Sequence, residues 1–95
     1  MHLVSITPST RPGKKYMAIF DKEGRRKTTH FGSEGMDDYL HTHDKDQRDR
    51  YRTRHKKDLM TRDPTRAGFL SYYILWGDST SLRQNISDYK KRFGL

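Results

Sequence analysis

The sequence predicts an α+β fold, a small antiparallel β-hairpin or meander followed by three α-helices, and three observations carry that prediction. Short β-branched and aromatic runs separated by turn residues occupy the first third of the chain. Apolar residues at helical spacing occupy the last third, each run opened by a capping residue. Between them lies a charged stretch with the opposite-charge spacing of an exposed helix.

Leu3 to Thr7 is short and β-branched, and the turn residues Pro8 to Gly13 close it. Lys15 to Phe20 places Tyr16, Ala18 and Phe20 on one face and Met17 and Ile19 on the other. Asp21 to Gly24 reads as a hairpin turn, with Gly24 free to take positive φ. Lys27 to Phe31 forms the returning arm and Gly32 ends it. Residues 1–13 read either as a first strand or as an extended arm. So few strands cannot stand alone, so helices must cover one face.

Gly32 to Leu40 reads as a loop. A first helix should open at Asp44, with Gln47 completing a capping box, and run to Leu59 or Met60. The pairs Asp44–Arg48, Asp46–Arg50 and Arg54–Asp58 are spaced to support it. A second helix should open at Asp63-Pro64, an N-cap followed by proline at the first helical position. Its apolar face is Phe69, Leu70, Tyr73 and Ile74, and Trp76 and Gly77 end it. The third opens with Ser81 and Gln84, carries Leu82, Ile86, Tyr89 and Phe93, and stops at Gly94.

A chain of 95 residues makes one domain. Its 34% charged residues exceed its 31% hydrophobic ones, and aromatic rings must supply much of any core. Lys and Arg outnumber Asp and Glu by 20 to 12, for a formal charge of +8, a field that attracts polyanions or an acidic protein surface. The absence of cysteine excludes disulfides and thiolate metal sites and fits a reducing compartment. No apolar run reaches membrane-spanning length, and the N-terminus lacks a signal-peptide layout, so the expected setting is soluble and intracellular.

The segment from His41 to Arg66 holds nine of the 20 basic residues against five Asp. On a helical projection Tyr51 is flanked by Arg48, Arg54, His55 and Asp58. These cations form either a phosphate-binding comb or an internally paired polar network of Arg48, Tyr51, Arg54, His55 and Asp63, with Asp37 and Asp38 as further partners. Arg52, Lys56 and Lys57 should point outward and, with Lys90, Lys91 and Arg92, meet an external anion or partner. Tyr72 and Trp76, one turn apart, belong either to the core or to a protein-docking stripe. His30, His41, His43 and His55 lack the spacing of a metal site. No motif calls for a cofactor, and no residue is assigned a catalytic role.

From Tyr16 onward the segments KKYMAIF, KTTHFGSEGMDDYLHTHDKD, RYRTRHKKD and DPTRAGFLSYYILWG follow one another in a recognisable order. Over roughly residues 15–95 the chain resembles the small basic, largely uncharacterised proteins of large double-stranded DNA viruses of algae and amoebae. His30-Phe31-Gly32, Tyr51 with Arg54-His55, Asp63-Pro64 and Leu70 to Gly77 carry the resemblance most specifically, and Leu40 departs from it by standing where a polar residue is expected. The resemblance implies a virion component, made inside the infected cell, with no assigned catalytic activity. Two roles then follow: a minor capsid protein that cements larger coat subunits, or a basic protein that packages the viral DNA. The cationic runs Arg25-Arg26-Lys27 and Lys90-Lys91-Arg92 are short, and carboxylates are interspersed elsewhere, which favours the major coat protein or another capsid protein as partner in a large assembly.

Overall fold

In the computed structural model, which describes residues 1–95, strands β1 (His2–Pro8), β2 (Lys14–Lys22) and β3 (Arg25–Ser33) form an antiparallel sheet in the order β1-β2-β3. Glu23 and Gly24, at φ 53° and 81°, make the mirror-image turn that suits a tight hairpin, and the Gly24 N–H donates to Asp21 Oδ1 at 3.0 Å. The register slips between Leu3 and Ser5, so Leu3 pairs with Phe20 and Ile6 with Ala18. That bulge at Val4 lets two apolar residues of odd spacing share one face. Leu3, Ala18, Phe20 and Phe31 are buried on it, whereas Ser5, Thr7, Met17, Ile19, Thr28 and His30 lie on the other.

The helical part follows as α1 (Tyr39–Thr42), α2 (Lys45–His55) with a 3-10 extension (Lys56–Thr61), α3 (Ala67–Leu70) continued by a π-helical turn (Ser71–Leu75), and α4 (Leu82–Phe93). The fold class is therefore the expected α+β, with four helices in place of three. The additional one, α1, occupies the segment read as a loop, because Asp38 Oδ1 accepts from the His41 N–H at 3.1 Å and caps it. Leu40, the apolar residue in a polar context, packs half-buried against the core. Asp44 caps α2 as expected, accepting from the N–H groups of Asp46 and Gln47 at 3.0 and 3.1 Å. The three expected i, i+4 ion pairs do not form; Arg48 pairs with Asp49 and His55 with Asp58 instead.

The second helix begins at Ala67, not at Pro64. Asp63 spends its carboxylate on the Thr65 N–H and hydroxyl, at 2.9 and 2.6 Å, which folds Pro64 and Thr65 into a turn. Lys27 and Thr29 tie that turn to β3 through Thr65, at 2.9 and 2.7 Å. At its far end the Trp76 N–H reaches back to Ser71 O at 3.0 Å, an i→i−5 bond. The wider turn swings Leu75 and Trp76 inward, so they join Phe69, Leu70 and Ile74 in the core while Tyr73 stays half-buried.

Helix α4 closes the molecule. Ser81 Oγ accepts from the Gln84 N–H at 3.2 Å, and at the other end Gly94 takes φ 66° while the Leu95 N–H donates to Lys90 O at 2.9 Å. Phe93 meets Phe69, Tyr73 and Tyr89 edge-on, with centroids 5.6, 5.3 and 4.8 Å away. The fully buried Tyr89 hydroxyl donates to Pro64 O at 2.6 Å, and burial, with Tyr73 and Asp63 nearby, pushes its ionisation far upward. Buried Asn85 fastens α4 to the preceding turn: its amide donates to Ile74 O and Ser79 O at 2.9 and 2.7 Å, and its oxygen accepts from the Ser79 N–H at 3.1 Å. Gly77 lets the strap lie that close, since a Cβ there would stand 2.2 Å from Tyr73 O. Asn85→Ala strands three backbone groups and is expected to cost about 2–3 kcal/mol in urea unfolding. A loss below about 0.5 kcal/mol would show that water replaces those bonds without penalty.

Candidate functional site

Helix α2 has no buried residue and no aliphatic face, so something other than aliphatic packing must seat it. Three ring and guanidinium contacts do so. Tyr51 is sandwiched between Trp76, at 4.4 Å and 10°, and His55, at 4.1 Å and 23°. Arg48 lies over the buried Tyr39 ring at 4.8 Å, its side chain 14% exposed. Arg52 donates through Nε to Trp76 O at 2.7 Å and through Nη2 to Asp78 Oδ1 at 2.9 Å. That hydrogen bond and ion pair hold the Asp78 carboxyl below its usual range despite the opposing effect of burial.

The segment before α2 is anchored by a buried carboxylate. Asp38 accepts from Lys15 Nζ at 2.6 Å and from His41 Nδ1 at 2.7 Å, and the same ammonium reaches Met36 O. Burial alone would raise the Asp38 carboxyl, but the hydrogen bonds and charges of Lys15 and His41 outweigh it and hold the group low.

A cleft of about 540 Å³ opens where the sheet end, α2 and α3 meet. Lys14 and Gly32 line it from the strands, Gln47, Tyr51 and Arg54 from α2, and Gly68 from α3. His55 borders it as well, with Nδ1 3.1 Å from Asp58 Oδ2, an arrangement that fixes the ring plane. Burial and the Asp58 charge raise the Tyr51 phenol, so it stays neutral and a hydrogen-bonding group. Neither Lys14 nor Arg54 pairs with a carboxylate, since Asp58 is engaged by His55 and Asp37 stands exposed. Gln47 Oε1 is buried and has no hydrogen-bond partner. No three His, Asp or Glu side chains come close enough to hold a metal ion.

The residues singled out in the sequence are distributed differently from expectation. Of the internal network, only Tyr51 and His55 pack on each other, while Arg48 lies over Tyr39 and pairs with Asp49, Arg54 is exposed and unpartnered, and Asp63 belongs to the Thr65 turn and to Arg66 at 3.5 Å. Helical rotation explains the Arg54 difference, because the stacked rings occupy the inward arc and leave position 54 beside it. Arg52 is not an outward cation: the Trp76 carbonyl and Asp78 hold it, and it lies 5.9 Å from the Tyr72 ring. Lys56 and Lys57 are exposed without carboxylate partners. Lys91 is exposed, Lys90 half-buried, and Arg92 leans over the Tyr73 ring at 4.9 Å. Trp76 is a core residue, 7% exposed, because the π-helical turn rotates it inward; Tyr72 is half-buried against Tyr73, at 4.9 Å.

Sequence reading missed Lys14 and Lys15, took Asp38 only as a candidate partner of the arginines, and gave Gln47 only a capping-box role. For Asp38 a signal exists, an Asp followed by a short apolar pair, as at many helix N-caps. Lys15 and Asp38 are distant in sequence, and only the fold brings them together.

The fold and the site together define a small α+β domain whose sheet and ring-seated helix frame one cleft. The chain belongs to the family of unknown function DUF5754, which it matches over residues 4–55, just over half its length. That match spans the whole sheet from Val4 onward, α1 and α2, and thus most residues that border the cleft. No curated protein and no solved structure matches it. No helix is long and apolar enough to cross a membrane.

Proposed function

We propose that this chain is a non-enzymatic virion protein, a minor capsid component that cements larger coat subunits through protein–protein contacts. The virion setting rests on the viral resemblance over residues 15–95, and the mode of action rests on the outer face of the sheet. In a chain that is 34% charged, the central residues of that face, Ser5, Thr7, Met17, Ile19, Thr28 and His30, carry no formal charge (with histidine neutral), and Val4 beside them is 43% exposed. The helices cover the opposite face, so this one is left for a partner, and an uncharged centre with a charged rim suits a protein surface better than a phosphate backbone. The histidines act locally, which accords with a structural role: His30 bonds Ser9 at 2.7 Å, His41 bonds Asp38, and His43 bonds Leu40 O at 3.1 Å.

The alternative, a nucleic-acid-binding protein for genome packaging, is favoured by the exposed, unpaired Arg54, Lys56 and Lys57. Titration against isolated coat protein and against random duplex DNA at two salt concentrations separates the two. Met17→Lys combined with Ile19→Lys should weaken coat-protein binding by more than about tenfold with the melting temperature little changed, since both positions lie on the outer face. Lys56→Gln with Lys57→Gln should change it only modestly. Tight DNA binding with a slope of log K against log salt near about −5, as six phosphate contacts give, and no affinity for coat protein would make packaging the function.

A further inference from the structure

We propose that the free edge of strand β3 takes an extended acidic segment of a partner protein as a further strand of the sheet. The site consists of backbone groups, not of the outer-face side chains, and so holds whether or not the partner is a coat subunit.

The hairpin fixes which backbone groups face outward. Lys22 and Arg25 close the two-residue turn at Glu23 and Gly24, and residues that close such a turn bond each other. Bonded and non-bonded pairs alternate along an antiparallel ladder. Phe20–Lys27, Ala18–Thr29 and Tyr16–Phe31 are therefore bonded pairs, and the N–H and C=O of Arg26, Thr28 and His30 turn away from β2. The β1 side gives the same phase. The Ser9 N–H donates to Lys15 O at 3.0 Å, which turns the odd-numbered residues of β2 toward β1 and the even-numbered ones toward β3. No turn, loop or cap bond involves the backbone of residues 25–31, and Arg26 and Thr28 are exposed. Three outward residues at even spacing make a regular open ladder, the template for strand addition. The opposite edge, on β1, offers no such template: Pro8 has no N–H, and the bulge at Val4 breaks the even spacing.

Charge selects the occupant. Arg25, Arg26 and Lys27 stand at the hairpin end of the edge, and β3 carries no carboxylate. Asp21 reaches Arg26 only at 3.6 Å, with the Arg26 side chain 63% exposed, and Lys27 bonds the neutral Thr65 hydroxyl. A strand with carboxylates at that end sets opposite charges across the new ladder. A second copy of β3 brings no carboxylate and sets one +8 chain against another. The same cations thus keep the edge from pairing with itself and favour an acidic partner.

The test adds a blocked heptapeptide of alternating glutamate and valine to the intact, isotope-labelled chain, with a lysine-for-glutamate peptide as control. In the free chain the amides of Arg26, Thr28 and His30 should exchange rapidly with solvent. The glutamate peptide should bind saturably and slow those three amides by more than about tenfold, while Lys27 and Thr29, already in the ladder, change little. The lysine peptide should bind at least about tenfold more weakly, and Arg25→Glu with Arg26→Glu should reverse the preference. Thr28→Pro removes one outward N–H without touching a bond to β2 and should weaken the glutamate peptide by about tenfold or more with the far-UV circular dichroism unchanged. If Thr28→Pro fails to fold, the charge reversal and the amide exchange of the unaltered chain still decide the matter. Protection of the same amides on concentrating the chain alone would make a second copy the occupant and overturn the proposal. Displacement of the peptide by lower concentrations of random duplex DNA would overturn it too, making the cations phosphate contacts. It also fails if the glutamate peptide does not saturate at millimolar concentration, if the two peptides bind alike, or if the glutamate peptide binds while the three amides exchange as before.

Discussion

Trp76→Ala is expected to destabilise the chain by about 3–5 kcal/mol, enough to leave much of so small a domain unfolded at room temperature. Trp76 is 7% exposed, its ring lies 4.4 Å from Tyr51, and its carbonyl accepts from Arg52 Nε at 2.7 Å. Removing the indole opens a cavity and also frees one face of Tyr51, the contact that seats a helix with no aliphatic residues of its own to bury. Helix α2 should therefore loosen before the sheet does, a difference that amide hydrogen exchange across residues 45–55 would register. Tyr73→Ala should cost less, since that ring is half-buried and edge-packed. Should Trp76→Ala instead keep the melting temperature of the unaltered chain and lose only partner binding, the indole would belong to an interface.

Asp38→Ala is expected to cost about 3–5 kcal/mol, the penalty for stranding a charge whose partner is removed inside the protein. Asp38 is fully buried, and the Lys15 side chain that it holds is itself 15% exposed. The alanine also removes the cap of α1. Asp38→Asn should lose less, because the amide oxygen still accepts from the His41 N–H. The pH dependence follows from the depressed carboxyl. A group whose folded pKa lies below its ordinary value of 3.8 adds stability that is present above that value and lost as pH falls through the folded one. Acid unfolding of the unaltered chain should thus steepen below about pH 4, where Asp63 and Asp78, also depressed, lose their bonds too. In Asp38→Asn that acid limb should be shallower, and an identical limb would show that Asp38 is not ionised in the folded protein.

What the sequence determined by itself is local. Alternation over Lys15 to Phe20 put Ala18 and Phe20 on one face, the one the fold buries, Asp21 to Gly24 set the hairpin, and Asp44, Ser81 and Gly94 marked helix ends, because each effect operates within a few residues. Where a local rule had a nearby competitor, reading was less sure: Asp63 looked like a helix cap, but Thr65 claimed its carboxylate two residues on. The tertiary structure decided how α2 is seated and what surrounds the cleft. Nothing within α2 shows that Tyr51 will find Trp76, or that Arg52 will reach past its neighbours to Asp78, since those partners are more than twenty residues away. The π-helical turn that rotates Trp76 into the core adds a residue to one turn, a change that periodicity at 3.6 residues cannot register. Lys15 meets Asp38, and Lys14 and Arg54 come to line one cleft, only because the sheet end lies beside α1 and α2. Charged side chains follow their partners, and in a chain this polar the partners are set by the fold.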